Sequence, residues 1–149
     1  MGAAELQAMA ERGQLEKVEP SVTRAKALLE SAKKTLGTCR GIVAGDAKSA
    51  LLLAWDGVAF PTLTAALALP PGYRVANQQG HHWVAVEAGK QLLPDGALMS
   101  RIGALRRARD LGMYESEPQA AQEVAESLDD CEKLIALVGV AVQRVDDQT

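Results

Sequence analysis

Residues Ser21 to Ala44 read SVTRAKALLESAKKTLGTCRGIVA. Their apolar positions are Val22, Ala25, Leu29, Ala32, Leu36, Cys39 and Val43, at alternating steps of three and four. That spacing keeps one side of a long helix apolar. Lys26, Glu30, Lys33, Lys34 and Arg40 fall on the other faces. Pro20 and Ser21 mark the start, because proline cannot continue a helix and serine caps one. A helix of this kind needs neighbours of the same kind, so the stretch predicts a helical bundle.

The rest of the chain agrees. Ala3 to Leu15 reads as a short helix ended by Gly13, and residues 1–19 as an N-terminal arm. Gly45-Asp46 is a stop and a restart, with Asp46 as N-cap. The next segment, Ala47 to about Leu69, is apolar almost all round and is expected at the centre. Pro61 lies inside it, predicting either a kink or two helices joined at Phe60-Pro61. Pro70 to Trp83 (PPGYRVANQQGHHW) reads as a loop, a kind of segment that often carries function. Helices follow over His81–Leu93 and Ala97–Met113, separated by the turn Pro94-Asp95-Gly96. Ser116-Glu117-Pro118-Gln119 has the pattern of a capping box for a last helix, Glu117 to Val145. Its seam is Val124, Leu128, Cys131, Ile135, Val138 and Val142. Residues 146–149 read as a frayed tail. No strand pattern and no internal repeat is expected.

Composition points the same way. The 149 residues fit one domain, 48% hydrophobic, 23% charged and only 3% aromatic. Alanine and leucine dominate, which favours closely packed helices over sheet. The expected fold is an all-α, up-and-down bundle of four to five helices with a short extra N-terminal helix. Net charge is −3 and the pI about 5.4, which argues against broad electrostatic binding to nucleic acid. The two cysteines, Cys39 and Cys131, read as buried small hydrophobes, or as a disulfide if their helices are neighbours in an oxidising compartment. The acidic, polar N-terminus has no signal-peptide pattern, and no apolar run reads as long enough to span a membrane. The expected location is cytoplasmic.

The chemistry concentrates in Leu105 to Glu115, LRRARDLGMYE. On a helix, Arg106 and Arg109 share a face, with Tyr114 about a turn further on, while Arg107 points elsewhere. Two guanidinium groups on one face need carboxylate or phosphate partners. Asp56 is the one acid inside the apolar segment, and a carboxylate buried there requires a partner. An ion pair from Asp56 to Arg106 or Arg109 is therefore expected. The alternative is that Asp56 lies on a solvated stripe and the arginines coat the surface. If the pair is buried, breaking one side costs roughly 3–5 kcal/mol.

His81 and His82 are adjacent and point about 100° apart on a helix, which suits a shared metal poorly. No cysteine or carboxylate stands at ligand spacing around them, so no metal and no cofactor is expected. No phosphate loop and no Gly-x-Ser-x-Gly elbow occurs, and Ser49 and Ser100 have no base nearby in sequence. Arg74 and His81 are seven apart. By number alone this fits an arginine that steadies a phosphorane and a histidine that moves a proton in RNA cleavage. Chance spacing across a loop is the other reading.

Taken together, Gly13–Leu36 (GQLEKVEPSVTRAKALLESAKKTL), Trp55-Asp56-Gly57, Gly72-Tyr73-Arg74, Gly80-His81 and RRARDLGMYE resemble the bacterial HEPN proteins. The likeness is to the stand-alone branch with a closing RRxRNxxEY-type motif, and it runs from about Leu6 to Val142. It implies a bundle of four to five helices, a homodimer, and a toxin–antitoxin or phage-defence setting. Implied partners are an antitoxin, a toxin or a nucleotidyltransferase, with RNA or a nucleotide as further ligands. Many HEPN domains are metal-independent RNases whose motif is an arginine, a polar residue such as asparagine, and a histidine a few positions on. Arg109 matches that arginine, Asp110 replaces the asparagine, and no histidine follows in the chain. Tyr114 matches the family tyrosine, in some systems a target for nucleotide transfer.

Three readings result. The first is a non-catalytic HEPN-like module with a polar cluster of Asp56, Arg74, His81, Arg106, Arg109, Asp110 and Tyr114, binding a nucleotide, RNA or protein. The second is a metal-independent endoribonuclease using Arg109 and His81. The third is a structural scaffold or antitoxin.

Overall fold

The computed structural model describes residues 2–77, 80–114 and 120–149, with backbone alone at 113 and 114. Its helices are α1 (Ala3–Glu11), α2 (Val22–Ile42), α3 (Ala47–Ala68), α4 (His81–Leu92), α5 (Gly96–Tyr114) and α6 (Ala121–Asp147). The fold is an all-α bundle in which α3 sits at the centre, packed by α2, α4, α5 and α6. The seam of α2 holds as read: Ala25, Leu29, Ala32, Leu36 and Cys39 are buried. Val124, Leu128, Cys131, Ile135, Val138 and Val142 of α6 are buried too.

The helix ends follow their sequence signals. Ser21 accepts a hydrogen bond from the Arg24 N–H at 3.0 Å. Asp46 accepts from the Ser49 N–H at 3.1 Å and from its hydroxyl at 2.6 Å. These bonds favour the carboxylate form and hold the Asp46 pKa below its ordinary value. Asp95, read as a turn residue, caps α5 through the Leu98 N–H at 2.9 Å. The last helix begins at Ala121, and the proposed capping box Ser116–Gln119 lies outside the described residues.

Four expectations are corrected. First, of the two alternatives at Phe60-Pro61, the joined pair of helices does not occur: α3 is continuous. Residues Ala54–Ala59 form a π-helical turn, and the Phe60 N–H reaches back five residues to the Trp55 carbonyl. Pro61 has no N–H and its ring would crowd the carbonyl four residues back. The wider turn absorbs both defects within a continuous helix. The buried Thr62 hydroxyl then donates to the Val58 carbonyl at 2.7 Å, and Thr64 to Phe60 at 2.9 Å. Gly57 in this turn lets α2 come close, since a Cβ there would stand 2.6 Å from the Thr35 methyl.

Second, a strand pair exists. Leu15–Lys17 (β1) pairs antiparallel with Tyr73–Val75 (β2), with Glu16 opposite Arg74. Three-residue strands carry too little alternation to be read from sequence. With α1 they form a lid over α4, around Leu6, Met9, Leu15, Leu67, Tyr73, Val84 and Ala88. Gly72 (φ +94°) permits the connection, because a Cβ there would strike Val18 and Pro20. Third, Asp146 and Asp147 are not tail: α6 continues through Asp147, and Lys26 of α2 meets Asp146 at 2.5 Å. Fourth, α3 is long and apolar enough to cross a membrane by length and composition, with 61% of that window buried inside the bundle. It has the burial of a core helix.

Both cysteines are fully buried and free. Burial pushes the Cys131 thiol up to about 12, with the nearby Cys39 adding to the shift. Its Sγ donates to the Ala54 carbonyl at 3.7 Å.

Candidate functional site

The polar chemistry of the molecule gathers where the π turn of α3 faces α5 and the start of α4. Arg109 donates from Nη2 to Asp56 Oδ2 at 3.1 Å and from Nη1 to Asp110 Oδ1 at 3.2 Å. Arg106 Nη1 donates to the other Asp110 oxygen at 2.9 Å. The result is a chain of alternating charge, Asp56–Arg109–Asp110–Arg106. The one-turn spacing of Arg106 and Asp110 on α5 builds half of it. The π turn, which displaces a residue from the α-helical register, presents Asp56 to complete it.

The expected Asp56 pair is thus formed, with Arg109 as its partner. The reason differs from the expectation. Asp56 is 44% exposed, whereas Arg106 and Arg109 are each only 17% exposed. The guanidinium groups, not the carboxylate, are the charges taken out of water. Burial works against the charge on Arg109, but hydrogen bonding and attraction from Asp56, then from Asp110, outweigh it and raise its pKa. The Nε atoms of both arginines are buried without a hydrogen-bond partner, as is Trp55 Nε1.

An aromatic wall flanks this chain. Trp55 is fully buried beside Asp56. Its ring lies 5.5 Å from His82 in an edge-on contact and 5.9 Å from Phe60. His82 also packs on Phe60 at 5.3 Å and on His81 at 4.2 Å, and His81 meets Phe60 at 5.8 Å. Burial lowers the His82 pKa, and the neighbouring His81 and Arg109 lower it further, while Asp56 and Asp110 oppose the shift. His82 is therefore held towards the neutral imidazole, within electrostatic reach of Arg109.

Of the residues expected from sequence, Asp56, Arg106, Arg109 and Asp110 come together, and His81 stands at the histidine edge of the group. Arg74 does not join it. It is exposed on β2 and pairs with Glu16 of β1, Nε to Oε2 at 2.6 Å. Its spacing from His81 is therefore the chance reading. The Tyr114 side chain lies outside the described residues. Sequence reasoning missed His82, Trp55 and Phe60. The signal available was the placement of Trp55-Asp56 five to six residues before Pro61, the span over which a π turn forms. Among the described residues, no group of three or more His, Cys, Asp or Glu is placed to hold a metal ion.

No family model, no curated protein and no solved structure matches the chain.

Proposed function

We propose that this chain is a non-catalytic HEPN-like helical module that acts by binding a protein partner in a toxin–antitoxin or phage-defence setting. The observation that carries the reading is the pairing of Arg109 and Arg106 with Asp56 and Asp110. Two cations and two anions leave the cluster without net charge. A phosphate approaching Arg109 would have to displace carboxylates that already hold its Nη donors, and would meet Asp110 where HEPN nucleases carry a neutral side chain. The net charge of −3 adds no general attraction for RNA. In this reading the cluster ties α3 to α5 and the working surface lies elsewhere. Homodimer formation belongs to the same proposal and rests on the HEPN resemblance; a cytoplasmic location belongs to it too and rests on the acidic, polar N-terminus.

A second reading, a metal-independent endoribonuclease, is favoured by one feature: His82, kept towards its neutral form, stands in the field of Arg109. A neutral imidazole is a competent base. In this reading the base is His82, in place of the His81 expected from sequence.

The experiment is cleavage of total RNA by the purified protein in chelator, beside Arg109→Ala, His82→Ala and His81→Ala. No cleavage by the folded protein is the expected outcome. Cleavage by the wild type that disappears in both Arg109→Ala and His82→Ala would establish the nuclease.

A further inference from the structure

The outer face of α6 carries a second stripe, in which Val140 is open and Leu137 is half-buried against the core. Lys133, Leu137, Val140 and Arg144 follow at steps of four, three and four, so they line one side of the helix. Val140 is 54% exposed, one of the few large apolar side chains so open among the described residues. Two shallow clefts of about 360 and 300 Å³ lie along the stripe, the first at Lys133, Leu137 and Val140 and the second at Arg144. Leu98 lies in the wall of the first, and Leu92 and Leu93 in that of the second. The stripe thus carries a cation at each end, with the Asp95 carboxylate, which caps α5, in the same cleft as Lys133. Lys133 and Arg144 make no ion pair among the described residues, whereas their neighbours on α6 do. Asp129 and Glu132 hold Arg40, and Asp130 holds Arg101.

Charge decides what can cover this strip. A second copy brought in by a two-fold axis would lay the same stripe against itself. In the antiparallel arrangement that centres Leu137 and Val140, Lys133 faces Arg144 of the other copy. In the parallel arrangement each cation faces its own duplicate. Both place like charges across a desolvating contact. The complement is a different helix with carboxylates at the two ends of its apolar face. The separation is eleven residues, about 16 Å along a helix.

We propose that this stripe of α6 is a docking site for an amphipathic helix of a partner protein, one whose apolar face is flanked by acidic residues about three turns apart. The proposal rests on the protein-binding reading above. Its test reads a different face from the RNA assay, so the two can fail separately.

The probes are two fluorescein-labelled helical peptides with the same leucine-lined face, one flanked by glutamates at that spacing and one by lysines. Fluorescence anisotropy with the full chain at low salt should show the glutamate peptide binding at least about tenfold tighter than its lysine twin. The double variant Lys133→Glu/Arg144→Glu should reverse that order. Val140→Asp should weaken the glutamate peptide by about tenfold or more, with an unchanged circular dichroism melt. Equal binding of the two peptides, no binding of either, or indifference to Val140→Asp would overturn the proposal. So would a dimer in sedimentation that Val140→Asp dissociates, because the stripe would then belong to a second copy.

Discussion

Arg109 and Arg74 were both candidate site residues in the sequence, and the fold treats them differently. Arg109 reaches from α5 to Asp56 with 17% of its side chain exposed and shares Asp110 with Arg106. Arg74 reaches across a two-strand ladder to Glu16 with 54% exposed. The exposed pair is the shorter, 2.5 Å against 3.1 Å, so it is their surroundings and not their length that set the two apart. Around Arg109, water is replaced by Asp56 and Asp110, with Trp55 and the histidines alongside. Around Arg74, water remains and screens the pair. Which arginine matters is therefore a question of solvent, which neither charge nor spacing reveals.

The comparison can be broken most forcefully at Trp55. Trp55→Ala removes a fully buried ring next to the pair and should destabilise the protein by about 3–5 kcal/mol, read from urea denaturation. A loss near zero would mean that the wall beside Arg109 is not packed. Next comes Arg109→Ala, expected to cost about 1–3 kcal/mol through lost charge-assisted hydrogen bonds and lost stem packing. This is below the figure for a fully buried pair because Asp56 stays half in water. Arg109→Met should recover part of it by restoring the stem. Equal costs for Arg109→Ala and Arg74→Ala would erase the distinction.

The histidine edge sharpens the contrast through pH. The folded-state pKa of His82 lies below its ordinary value of 6.5. Between the two values the unfolded chain binds more protons than the folded one. Its stabilising contribution is thus complete above the ordinary value and is lost as pH falls through it towards the lowered one. The protein should melt at a lower temperature at pH 5 than at pH 8, and His82→Gln should flatten that dependence. A slope unchanged in His82→Gln would assign it to other groups. The smallest effect is expected at the strands: Arg74→Ala should change stability by no more than about 1 kcal/mol, and less in high salt.

Much of the bundle was legible because helix periodicity is local. The seams of α2 and α6 and the caps Ser21 and Asp46 come from spacing and residue type within one or two turns. The strands were not legible, because β1 and β2 are three residues each and exist only through pairing with a partner 58 positions away in the chain, as Glu16 and Arg74 show. The π turn was half legible. Pro61 announced a defect in α3, but whether the helix bends, breaks or widens depends on what packs around it. Gly57 against Thr35 and the buried Thr62 hydroxyl show that packing here accepts the wider turn.

By itself, the sequence determined an all-α bundle, the apolar central helix and the pairing need of Arg106 and Arg109, since these follow from periodicity and from the permanence of guanidinium charge. Only the tertiary structure decided that Asp56 goes to Arg109, that His82 rather than Arg74 borders the pair, and that the arginines carry the burial. Those outcomes depend on the solvent each group loses, and that loss is set by neighbours tens of residues away.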